Sequence, residues 1–106
     1  MKEYELDLTD YKVGESDFST KEELSGLLRL PGVYKDGIET VDGVTLARHI
    51  IAANKFIKIN EADLLLIKKV MNILIAREHK PLQGQLSLGG IRYEELILRV
   101  FTLDKE

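Results

Sequence analysis

From Glu61 to about Glu78 the chain carries apolar residues at helical spacing around roughly half of a helical circumference. On a wheel of about 100° per residue, Ile73, Leu66, Val70, Leu74, Ile67, Met71, Leu64 and Ile75 share one broad arc. The polar wedge of Glu61, Lys68, Asn72 and Lys69 is narrow, and Leu65 and Ala76 interrupt it. A surface helix needs an apolar stripe only somewhat wider than ~100°. This segment therefore requires partners on two sides. Either it is the central helix of the monomer, or part of it, at Leu65, Leu66, Val70 and Ile73, is an oligomer interface.

The remaining elements are shorter. Tyr4-Glu5-Leu6-Asp7-Leu8 alternates apolar and acidic residues, the period-2 pattern of a half-buried strand, and Gly14-Glu15-Ser16-Asp17 reads as a loop. Ser19 and Glu22 are spaced as a capping box, in which hydroxyl and carboxylate each satisfy a free backbone N–H. Leu24, Leu27 and Leu28 give that first helix a short apolar stripe, so light docking is expected, and Pro31-Gly32 ends it.

From Gly32 to Gly43, three glycines fit either a small hairpin or an ordered loop. Asp42 is the expected N-cap of a second helix, Val44 to about Asn54, with Leu46, Ala47, Ile50, Ile51 and Ala53 on one side. Phe56-Ile57-Lys58-Ile59 is short and β-prone, and Asn60 is placed to cap the central helix. Beyond Pro81, a strand over Leu82–Leu88 and a Gly89-Gly90 turn are expected. They lead to a last helix, Arg92 to about Leu103. Tyr93, Leu96, Ile97, Val100 and Phe101 line its buried face. Glu95 and Arg99 pair on the exposed side, worth a few tenths of a kcal/mol. The fold class is α+β and helix-dominated: about four helices with two to three short strands, as a single domain over residues 1–106.

Without cysteine there is no disulfide framework, thiolate metal site or thiol nucleophile. His49 and His79 are the only imidazoles, and neither lies in a His-x-x-x-His or Glu-x-x-His spacing. The glycines match neither the dinucleotide nor the phosphate-loop pattern, and Glu22-Glu23 and Glu94-Glu95 open helices, where acidic residues favour the dipole. No catalytic, cofactor-binding or metal residue is assigned, and a non-enzymatic protein with no cofactor is expected. The net charge is −3, with 15 basic residues interleaved among 18 acidic ones. That composition argues against nucleic acid, whose phosphates call for clustered Lys and Arg. The longest apolar stretch is broken by Lys68 and Lys69, and the first ten residues carry no apolar leader, so a cytoplasmic protein is expected.

Two stretches resemble known sequences. Lys2 to Leu8 with Tyr11 to Glu15 resembles the N-termini of some phage tail assembly chaperones. Leu46-Ala47-Arg48 through Ile59-Asn60-Glu61-Ala62-Asp63 to Ile67-Lys68-Lys69-Val70 is similar to a group of short tailed-phage and prophage proteins from structural-gene regions. In those proteins a helix, a brief extended segment and a capped helix follow one another. The resemblance implies a protein–protein role in particle assembly, self-associating or with a phage structural protein, and brings no catalytic residues. The competing expectation is a DNA-binding or transcription-modulating domain with a helix-turn-helix made of the second and third helices. Its join, Asn54 to Asn60, is longer than the usual three- to four-residue turn.

Overall fold

The alternating N-terminal segment forms strand β1 (Glu3–Asp7), which pairs antiparallel with β4 (Phe56–Asn60) in a two-stranded sheet. The computed structural model describes residues 2–30, 34, 36–76 and 93–104. In the β1–β4 register Tyr4 faces Ile59 and Leu6 faces Ile57, while the exposed Glu5 and Lys58 oppose each other on the outer face. Period-2 geometry thus puts the apolar set of both strands on the side that meets the helices. Leu6 and Ile59 are fully buried there.

A second sheet is a hairpin of β2 (Tyr11–Val13) and β3 (Ser16–Phe18). Val13 pairs with Ser16, leaving Gly14-Glu15 as a two-residue loop. Gly14 has φ of +64°, and no non-glycine residue among those described has a positive φ. Positive φ at the first loop position alone is the II′ hairpin pattern, and glycine meets it without steric cost. The expected loop over Gly14–Asp17 is thus half turn and half strand. Three-residue strands are too short to show a period.

Helix α1 (Thr20–Leu28) begins where expected but is capped differently. The Ser19 side chain makes no cap hydrogen bond. Instead Asp10 Oδ1 accepts from Thr20 N at 3.1 Å, and the Thr20 hydroxyl donates to Thr9 O at 2.8 Å. The cap comes from the connection between β1 and β2, so the helix is fixed to the segment that leads into the hairpin. Nor is α1 lightly docked: Leu24, Leu27 and Leu28 are buried, as are Thr20 and Ser25. Its main partner is α2.

Helix α2 (Gly37–Ala52) starts well before the expected Val44. Its N-cap is Asp36, whose Oδ1 accepts from Glu39 N at 2.9 Å; Asp42 lies inside the helix. Residues 37–43 are therefore helical, neither hairpin nor loop. Gly43, costing ~1 kcal/mol relative to alanine inside a helix, has a packing reason. A Cβ there would lie 2.0 Å from the Tyr34 hydroxyl oxygen, because the Tyr34 ring rests on the helix and its hydroxyl donates to Leu28 O.

Helix α3 (Glu61–Ala76) opens on a reciprocal cap: Asn60 Oδ1 accepts from Asp63 N at 2.8 Å, and Asp63 Oδ2 accepts from Asn60 N at 3.4 Å. Asn60 is the cap the sequence called for. Leu64, Ile67, Val70, Met71 and Leu74 are buried, with α1, β4 and α4 (Glu94–Phe101) packed around the helix. The central-helix alternative is what the fold realises. The expected Leu82–Leu88 strand, the Gly89-Gly90 turn and His79 lie outside the described residues. On α4, Leu96 and Val100 are buried as the spacing required, together with the preceding Tyr93. The architecture is α+β and helix-dominated, four helices and two small antiparallel sheets among the described residues.

Candidate functional site

The four residues of the expected interface arc end up in different surroundings. Val70 is 1% exposed and belongs to the core, so it offers nothing to a partner. Leu66 and Ile73 are half-buried against the same core. Leu65 alone faces outward, 59% exposed. The chain covers most of this arc itself.

Besides Leu65 of α3 and Leu98 of α4, the exposed large apolar side chains among the described residues lie on α2 and at Phe56 of β4 just beyond it. Ile38 and Val41, one helical turn apart, are 77% and 63% exposed, and Ile51 and Phe56 are about half exposed. Helix geometry sorts the rest of α2: 3.6 residues per turn place Asp42, Thr45 and His49 on one flank, and Arg48 and Ile51 on the other. Sequence reading treated this helix as one apolar side and one polar side. It did not find that the two flanks differ in charge.

The first flank faces α3. A groove of about 450 Å³ is lined by Asp42, Thr45, Leu46 and His49 of α2 and by Asn60, Ala62, Asp63 and Leu66. It continues through the shared Asp42 into a hollow beside Asp36, Ile38 and Val41. The two helices are tied across it by the Lys69–Glu39 ion pair at 2.7 Å. Asp63 is held by its capping bonds at the groove edge, and His49 is exposed. A nucleophile–base pair needs a base oriented by a third group; here the groove's Asp63 carboxylate accepts from the Asn60 backbone in the α3 cap. Among the described residues no cluster of three or more His, Cys, Asp or Glu side chains could hold a metal ion.

The second flank faces α1. One hollow is lined by Arg29, Ala47, Arg48 and Ile51, and another, past the C-terminal end of α2, by Lys21, Asn54, Lys55 and Phe56. The Lys21 ammonium donates to Ala53 O. Among the described residues no carboxylate lines either hollow. Residues interleaved along the chain are thus separated in space: an acidic, apolar-floored groove on one side of α2 and a basic, apolar seam on the other.

Behind the acidic flank, burial and the nearby Glu39 carboxylate push the Tyr34 phenol up to about 12. Both favour the neutral phenol. Because the folded value exceeds the unfolded one of about 10, this contribution to stability is complete below pH ~10 and is lost as pH rises towards the folded value. Denaturant midpoints measured across that alkaline window should fall for the wild type and fall less steeply for Tyr34→Phe. Equal slopes would mean that Tyr34 is not the group responsible.

Helices α2 and α3 are not joined by the short turn of a helix-turn-helix. They are separated by the full strand β4, hydrogen-bonded to β1. No helix among the described residues is long and apolar enough to cross a membrane. No family model, no curated protein and no solved structure matches this chain.

Proposed function

We propose that this protein is a non-enzymatic interaction and assembly protein that associates with copies of itself, with phage or prophage particle assembly as its setting. The observation that carries the reading is the placement of Ile38, Val41, Ile51 and Phe56, large apolar side chains exposed around one helix. Scattered single apolar residues on a surface need no explanation. These four instead border grooves rimmed by charge, the arrangement of apolar centre and polar rim found in protein interfaces. The resemblance of Lys2–Glu15 and Leu46–Val70 to small tailed-phage proteins supplies the setting.

The test is molar mass by light scattering behind a sizing column, at a few micromolar and at several hundred. A mass that rises above the monomer with concentration is expected. A monomer throughout overturns self-association and turns the search to a different protein.

A further inference from the structure

We infer that the two flanks of α2 bind each other between successive copies of this chain, so that the protein assembles head to tail. This rests on the self-association proposed above and specifies its surfaces. The acidic flank offers the Asp42 and Asp63 carboxylates beside Ile38 and Val41. The basic flank offers Arg29, Arg48 and Lys55 beside Ile51 and Phe56. Their charges are opposite, and each offers an apolar patch for the other to cover.

Pairing like flanks would place carboxylates against carboxylates or guanidinium groups against ammonium groups, and such juxtapositions carry a repulsive cost. Unlike pairing removes that cost. In a head-to-tail contact, as opposed to a two-fold one in which both flanks of each copy pair at once, one flank stays free on each outer copy. Addition then continues until a ring closes or a filament grows. Charge at the rim makes the contact salt-sensitive, since exposed charges are screened beyond roughly 8 Å at physiological ionic strength.

Charge reversal tests this on the full chain. Asp42 and Arg48 are both exposed, so Asp42→Arg and Arg48→Glu leave the core untouched, which circular dichroism of each variant checks. Each single variant should need at least ~tenfold more protein than wild type to assemble. The equimolar mixture of the two, and the double variant, should recover assembly beyond two chains. A wild-type particle that stops at two chains overturns head-to-tail growth while self-association stands. Oligomers indifferent to both reversals overturn the assignment of these flanks and again leave self-association standing. A wild-type monomer at every concentration overturns both. Should the wild type instead bind a mixed-sequence oligonucleotide at low salt, and Arg48→Glu abolish that binding without changing the protein's mass, the basic flank is a nucleic-acid surface and the inference falls.

Discussion

Replacing Phe18 by alanine is expected to remove about 3–5 kcal/mol of stability, a large share of the ~5–15 kcal/mol typical of a domain. Phe18 is 0% exposed and joins the hairpin to the helices. Its ring stacks on Tyr11 with centroids 4.5 Å apart and meets the edge of Tyr93 at 5.6 Å and 88°. Aromatic contacts of this kind contribute about 0.5–1.5 kcal/mol beyond their buried area. The effect should also spread. The Tyr11 hydroxyl accepts from Leu96 N at 3.2 Å, supplying the cap that Tyr93 does not give α4. With Phe18 gone, Tyr11 loses its backing, and amide exchange at Leu96 should accelerate along with the global loss. Urea melts check the magnitude. A loss under about 1.5 kcal/mol, the range of a tolerated volume-conserving swap, would show that Phe18 is not a central packing residue.

Arg99→Met is expected to cost about 2–4 kcal/mol, because hydrogen bonds to charged groups count for ~1.5–3 kcal/mol and the guanidinium makes several at once. The sequence presents Arg99 as half of an exposed pair with Glu95. That pair exists, at 2.8 Å, but the Arg99 side chain is only 13% exposed. Its Nη1 also donates to Thr9 O at 2.7 Å and to Asp7 O at 3.3 Å, and its guanidinium lies 5.0 Å from the Tyr11 ring centroid. One planar fork thus bolts α4 to the end of β1. Arg99→Lys should recover less than half of the loss, since an ammonium cannot reproduce the fork or the stacking. A loss within about 0.5 kcal/mol, ordinary for a surface position, would remove Arg99 from this role.

The same clamp shapes the acid side of stability. Burial raises the Asp7 carboxyl, but hydrogen bonds from Thr9 side chain and backbone, and then the Arg99 charge, outweigh it and leave it below its ordinary value. A depressed folded value means stabilisation that is present above the unfolded value of about 3.9 and lost as pH falls through the folded one.

What was legible in the sequence was whatever depends on neighbours one or two turns away. Alternation at Tyr4–Leu8 gave β1, the Asn60–Asp63 spacing gave the α3 cap, and the Tyr93–Phe101 repeat gave the buried face of α4. Helix period and capping are local rules, so local residues suffice. The candidate interface fared differently. The width of the α3 arc was visible, but whether Val70 meets the chain's own helices or another molecule depends on the α1 and α4 packing around it.

By itself, then, the sequence determined a helix-dominated α+β chain with an α3 that had to be enclosed, because periodicity fixes which residues share a face. Tertiary structure decided the rest. It chose Asp10 rather than Ser19 to cap α1 and laid a tyrosine on Gly43, whereas the Asp36 cap that starts α2 is a local Asp-x-x-Glu spacing that the Asp42 expectation passed over. It turned Arg99 from a surface partner into a clamp on carbonyls 90 and 92 positions away. It also sorted evenly mixed charges onto opposite flanks of one helix. The physical reason is common to all of these: a hydrogen bond, a steric contact or an electric field acts through space, and only the folded chain sets which distant residues are close.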